Sequence, residues 1–188
     1  MPKEKNIVLA RSSRIYLSTF GMEYAPALHK WLQEPKVFGH LRDMGETLTL
    51  EDAGHWIQQA ERDPRLKVFS IYYLPEDKLI GYGGFKNIEP EDQIAEVWRI
   101  IGEPQYHGKG LGTELYWLLC RLGFEELGYK NILAEHYANN PASWQSAMKC
   151  GAKLMGIRRR ARKTPEGWID MHYTDLLPEE LIEPRPKK

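Results

Sequence analysis

His107-Gly108-Lys109-Gly110-Leu111-Gly112 follows a β-rich run at 94–101 and opens a helical pattern whose Leu111, Leu115, Leu118, Leu119 and Leu122 share one face. Three glycines at alternate positions let the backbone approach an anion closely, and a helix start presents unpaired N–H groups at the positive end of its dipole. A phosphate is the natural guest of such a turn; the plain alternative is a flexible strand-to-helix connection. Two better-known phosphate loops do not fit. G-x-x-x-x-G-K-[ST] is absent, and G-x-G-x-x-G breaks at Thr113, where the third glycine would stand.

Working outward, residues 14–17 read as a short strand, and Tyr24, Leu28, Trp31 and Leu32 keep helical spacing until Pro35 stops them. Thr49 and Asp52 form a capping-box-like pair ahead of a second helix with Ala53, Trp56, Ile57 and Ala60 on its apolar face. Residues 67–73 and 79–85 read as a hairpin turning at Pro75-Glu76-Asp77. Beyond the glycine helix, which should end near Gly128, 131–137 returns as a strand. Asn140 then caps a short helix with Pro141 in its first turn and Gly151 as its stop. Residues 153–162 and 168–176 form a last hairpin through Thr164-Pro165-Glu166-Gly167. The order βααβββαβαββ is that of a mixed α+β domain at 14–177, with an N-terminal extension at 1–13 and a frayed tail at 178–188.

The chain has 188 residues, 42% of them hydrophobic, and its 26 Lys plus Arg balance 26 Asp plus Glu, which excludes a disordered chain and a general polyanion binder. No signal-like apolar run opens it, and the pattern at 111–127 carries Glu114, Arg121, Glu125 and Glu126, so a soluble cytoplasmic protein is expected. Cys120 and Cys150 are too few for a disulfide framework or a thiolate zinc site and read as reduced core residues. His55 has no second ligand at helical spacing, and no metal is expected.

The glycine segment resembles the signature [Gln/Arg]-x-x-Gly-x-[Gly/Ala] of the GNAT superfamily of acetyl-CoA-dependent N-acetyltransferases. Ala95-Glu96-Val97, Asn140-Pro141-Ala142-Ser143, Lys149-Cys150-Gly151, Met155-Gly156-Ile157-Arg158 and Gly167-Trp168-Ile169-Asp170 fall in the order and spacing of its RimJ/RimL-like branch. The resemblance implies a central, mostly antiparallel mixed sheet flanked by helices, with acetyl-CoA as donor. One departure is plain, since His107 stands where the wider family has Gln or Arg. The family's pyrophosphate meets mainly main-chain N–H groups, here those of His107, Gly108, Lys109, Gly110, Leu111 and Gly112, which any side chain at 107 can supply.

Acetyl transfer from a thioester needs a neutral amine, an oriented carbonyl, a stabilised oxyanion and a proton for the leaving thiolate. By resemblance, the main chain of Arg99, Ile100 and Ile101 meets the pantetheine and thioester, Asn140 bonds the cofactor arm, and Ser143 contacts the sulfur as general acid. The plain alternative for Asn140 and Ser143 is a helix cap and its first-turn serine. The tyrosine that many relatives carry four residues after Ser143 is replaced by Ala147, and the glutamate of the RimL-type enzyme by Arg162. Glu96 is the candidate base, with a structural ion pair as its alternative; His136 and Asp170 stand in reserve. Of the six tryptophans most should be core, with Trp31 and Trp56 candidates to wall the acceptor groove.

Alternation would aim Arg158, Arg160 and Arg162 at one face, but the acids at 164–183 answer the basic run at 153–163 across the hairpin, so nucleic acid is not an expected partner. The partners expected are acetyl-CoA and an amine acceptor, with no membrane and with a homodimer kept open. The acceptor expected is a protein N-terminal amine of ribosomal-protein type. A small amine such as a polyamine, amino acid or aminoglycoside is the alternative, and a non-catalytic acetyl-CoA-binding sensor the competing class.

Overall fold

The computed structural model describes residues 7–38, 49–164 and 167–185. Its eight-stranded sheet runs β1-β2-β3-β4-β5-β6-β8-β7, where β1 is Ala10–Arg11, β2 Ile15–Ser18, β3 Lys67–Tyr73, β4 Lys78–Glu89, β5 Ile94–Ile101, β6 Asn131–Tyr137, β7 Lys153–Thr164 and β8 Gly167–Leu176. Every neighbouring pair is antiparallel except β5 and β6. The helices are α1 Ala25–Leu32, α2 Pro35–Phe38, α3 Leu50–Arg62, α4 Leu111–Glu125 and α5 Pro141–Lys149.

Local chemistry sets these bounds. At α3 the Thr49 hydroxyl accepts from the Asp52 N–H at 3.1 Å while the Asp52 carboxylate accepts from the Thr49 N–H at 2.8 Å, the reciprocal box the sequence spelled. Asn140 caps α5, with Pro141 in the first turn where no donor is missed. Pro35 ends α1 as expected and then itself opens α2.

The feature that positions the site is where pairing stops. β5 pairs with β4 as far as Ile101, but its parallel pairing with β6 covers only Ile94–Glu96 against 131–133. From Val97 onward the two strands part and leave facing main-chain edges. Alternation along β5 sends Ala95, Val97 and Arg99 to the α4 face, where Leu111, Leu115, Leu118 and Leu119 join Ile132 and Ala134 in the main core. Trp98 and Ile100 go to the opposite face, against Leu28 and Trp31 of α1, Ile57 of α3 and Tyr82 of the neighbouring β4.

Three expectations are corrected. The extension before residue 14 is partly sheet, since β1 pairs with β2 and Ala10 packs on the core. The tail is docked as far as Ile182, whose N–H bonds the Cys150 carbonyl at 2.9 Å; Glu180 pairs with Lys153 and Leu181 packs on the core. The arginines of β7 do not alternate. Arg160 adopts a φ of 52°, its N–H bonds the Asp170 carboxylate at 2.7 Å, and the register jumps between Arg158 and Arg162. Pro165 and Glu166 of the expected last turn lie outside the described residues.

Candidate active site

The glycine loop leaves β5 through a single 3-10 turn at Pro104–Tyr106, and Gly110, at φ 78°, is the N-cap of α4. Such a positive φ favours glycine, and with no side-chain cap the first donors of α4 stay open. Among the described residues the N–H groups of Gly108, Lys109, Gly110, Leu111 and Gly112 have no acceptor. A Cβ added at Gly108 or Gly112 would meet nothing within 4 Å. Open donors, a helix N-terminus and empty space in front of the glycines are what a pyrophosphate requires. His107 departs from its expected place in this set. Its N–H bonds the Pro104 carbonyl at 3.0 Å, and its ring Nε2 lies 2.8 Å from the Ile101 carbonyl, so His107 ties the loop to the end of β5.

Arg99 contributes more than main chain. Its Nε donates to the Gly112 carbonyl at 3.0 Å, and Nη2 donates to the Ser143 carbonyl at 3.3 Å and to the Ser146 hydroxyl. The Tyr116 ring lies 4.7 Å beneath the guanidinium. One side chain thus ties the first turns of α4 and α5 to β5. Burial holds its pKa below the ordinary arginine value, and among the described residues no carboxylate pairs with it.

Ser143 bridges the parted strands. Its carbonyl is bonded to Arg99 on β5, while its hydroxyl lies 2.9 Å from Nδ1 of His136 on β6. The other imidazole nitrogen, Nε2, is 3.0 Å from the hydroxyl of Thr174 on β8. His136 and Thr174 are both buried. Burial, then the charges of Arg99 and His172, pushes the His136 pKa down to about 3, so the ring is neutral at physiological pH. Asn140 Oδ1 accepts from the Ser143 N–H at 3.3 Å, which makes it a cap, and its Nδ2 has no partner among the described residues.

Glu96 is buried on the other face, where it accepts from Lys86 Nζ at 2.7 Å and Asn87 Nδ2 at 2.9 Å; Lys86 also lies 3.7 Å from Glu135. Asp170 supports the β7 bulge and does not reach the Ser143 group. Arg162 lies over the Tyr137 ring at 5.3 Å and Arg158 over the Tyr173 ring at 5.8 Å, so tyrosine faces, and not the expected acids, meet these arginines. Ala147 is packed in the core. Trp31 is core too, stacked on Tyr82 with its Nε1 donating to Glu103 at 2.9 Å, whereas Trp56 is half-buried and meets Phe20, Tyr82 and Trp98 edge-on. Against the expectation that most of the six tryptophans are core, only Trp31 and Trp117 are buried, and Trp168 is 57% exposed. His55 sits on the surface of α3, and both cysteines are buried and free.

Sequence reading missed the Arg99 side chain and Thr174. The signal for Arg99 was available: a lone cation within the apolar run at 94–101, two residues after Val97 and therefore on the α4 face. No local signal marks Thr174, which meets His136 only across the β6–β8 pairing.

A family described as Acetyltransferase (GNAT) domain matches residues 14–153. YnaD of Bacillus subtilis (strain 168), an uncharacterized N-acetyltransferase, is 24% identical over 169 residues, covering 90% of this chain and 96% of that one. The solved GNAT-family acetyltransferase from Bacillus anthracis is similar with a TM-score of 0.76 at 21% identity, over 91% of this chain and 99% of that one. The spermidine N-acetyltransferase from Vibrio cholerae, solved with CoA and spermine, gives a TM-score of 0.80 at 17% identity, over 90% of this chain and 98% of that one. No helix among the described residues is long and apolar enough to cross a membrane.

Proposed function

The chain belongs to the GNAT family of acetyltransferases, which take the acetyl group from acetyl-CoA, and from that premise we propose how its residues divide the transfer to a primary amine. Bound acetyl-CoA supplies an activated thioester. The open N–H groups of 108–112 hold its pyrophosphate, and the edges of β5 at Arg99, Ile100 and Ile101 orient the arm and the carbonyl. Asn140 Nδ2 reaches the arm while Oδ1 keeps the cap of α5. Ser143 is the acid for the departing sulfur. The observation that carries this reading is the position of Ser143, bonded to both parted strands with its hydroxyl on a neutral imidazole.

Glu96 is the group toward which the amine's proton moves, through water. It lies on the face opposite Ser143, at the last residue before the strands part, so amine and thioester meet from two sides of the sheet. The acceptor we favour is a protein N-terminal amine of ribosomal-protein type. Support comes from the β6–β8 part of this face, where Leu133, Tyr137 and Tyr173 are half-buried and Glu135 exposed, a surface long enough for an extended peptide. A small cationic amine is the second reading, favoured by Glu96 and Glu135 standing on either side of Lys86, which a polyamine's ammonium groups can displace.

A panel of amines that includes peptide N-termini, scored by thiol release from acetyl-CoA, tests the assignment. Turnover is expected on some member. Ser143→Ala should lower kcat about a hundredfold while cofactor affinity changes little. Gly110→Glu puts a side chain and a negative charge where φ is positive and a phosphate should sit, so cofactor affinity should fall by more than about a hundredfold. Unchanged affinity in that variant would refute the placement of the pyrophosphate.

A further inference from the structure

The hydrogen bonds around His136 have a direction, and hydrogen-bond balance in the buried end of the chain fixes it. Among the described residues, Thr174 Oγ1 has His136 Nε2 as its only partner, and Thr174 is fully buried. Were the imidazole proton on Nε2, it would donate to Thr174, and the threonine's own hydrogen would be enclosed without an acceptor, a costly state. With the proton on Nδ1, Thr174 donates to Nε2 and Nδ1–H donates to Ser143 Oγ at 2.9 Å, so both buried donors of this series, the Thr174 hydroxyl and the imidazole N–H, have an acceptor. The only hydrogen left over is that of Ser143, at the half-buried end of the chain beside the parted strands.

We infer that His136 is a positioning residue which, oriented by Thr174, donates to Ser143 and thereby directs the serine's own hydrogen into the cofactor groove. The inference rests on the reading of Ser143 as the acid. In the transfer, the amine nitrogen forms its bond to the acetyl carbon and loses a proton through water to Glu96. The C–S bond breaks, and the sulfur takes the hydrogen of Ser143 while Nδ1–H stabilises the charge left on Oγ. Ser143 regains a proton from water and Glu96 releases one, so amine and thioester become amide and thiol. His136 and Thr174 keep their protons throughout. An imidazole of the opposite tautomer would accept the serine's hydrogen and hold it away from the sulfur.

The test begins on the unaltered protein, with ¹⁵N NMR of the imidazole, where the proton of His136 is expected on Nδ1; a proton on Nε2 overturns the proposal. His136→Leu should lower kcat about tenfold with KM for acetyl-CoA nearly unchanged. His136→Asn, whose amide nitrogen takes the place of Nδ1, should restore much of that loss. Thr174→Val keeps the shape, removes the donor to Nε2, and should lower kcat several-fold. In a Ser143→Ala background all three substitutions should lose their effect on kcat, and an undiminished effect there would show a merely structural role. A Ser143→Ala enzyme of normal kcat would instead overturn the acid itself, and with it the catalytic consequence, even with the proton found on Nδ1.

Discussion

Two polar clusters meet the first turn of α4, and they differ in whether they close. On one side Glu114 accepts from Ser12 Oγ at 2.7 Å, Ser13 Oγ at 3.0 Å and the Arg14 N–H at 2.8 Å, while its second oxygen pairs with the Arg14 guanidinium at 2.7 Å. Burial alone would raise the Glu114 pKa, yet these donors hold it below the ordinary carboxylate value. On the other side Arg99 ties Gly112 and Ser143 together, and the series from Thr174 through His136 ends on a hydroxyl with no further partner among the described residues. A closed cluster is complete without a ligand and so anchors structure, here the entry of the N-terminal segment. An open one keeps unused hydrogen-bonding capacity aimed at a groove, which is what chemistry requires.

Replacing the central residue of each cluster separates the two roles. Arg99→Met keeps length and apolar packing but takes the guanidinium from the Gly112 carbonyl, the Ser143 carbonyl and the Ser146 hydroxyl, and leaves only the Ser146 hydroxyl donating to the Ser143 carbonyl, at 2.6 Å. About 3 kcal/mol of stability should be lost in urea unfolding. Cofactor affinity should fall with it, because the first turns of α4 and α5 lose their common tether. Full affinity in a destabilised Arg99→Met protein would place this cluster with the closed one. For Glu114→Gln the expected loss is smaller, about 2 kcal/mol, since Arg14 is partly exposed and finds water. Its kcat per folded molecule should be unaltered. A fall in kcat there, with folding intact, would break the distinction from the opposite side.

The closed cluster and the open one were not equally legible. Where one stretch of chain holds all the information, the sequence told the outcome: the Thr49–Asp52 box, the Asn140-Pro141 start, the hairpin through Pro75 and the glycine loop each depend on residues within a few positions. The Arg160 bulge escaped because it is held by Asp170 on the facing strand. The docking of Ile182 onto Cys150 escaped for a like reason, its partner being fixed only by the packing of the whole β7–β8 hairpin. Ser143 was readable as a position but not as a partner of His136, and no pattern along the chain says that Thr174 stands behind it. Along the chain Glu114 is only a charge interrupting an apolar helix, although three donors at Ser12, Ser13 and Arg14 await it a hundred residues earlier.

Acid separates the clusters by pH, with the smallest of the expected effects. His136 has an ordinary pKa of 6.5 and a folded one of about 3. Above pH 6.5 it is neutral in both states and its contribution is fully present. Below that the unfolded chain takes up a proton that the folded chain refuses, so stability falls as pH falls toward 3. Between pH 7 and pH 5.5 the loss should be about 1 kcal/mol, measured as the shift in urea midpoint at constant m. Glu114 and Glu103, whose folded pKa values are lowered, act with the same sign, but only as pH drops below the ordinary carboxylate value of 4.5. The open cluster therefore weakens first and the closed one later. His136→Asn should flatten the upper limb alone, and Glu114→Gln should soften the lower limb alone. A slope between pH 7 and pH 5.5 that survives His136→Asn would mean that the imidazole is not the buried neutral group on which the open cluster depends.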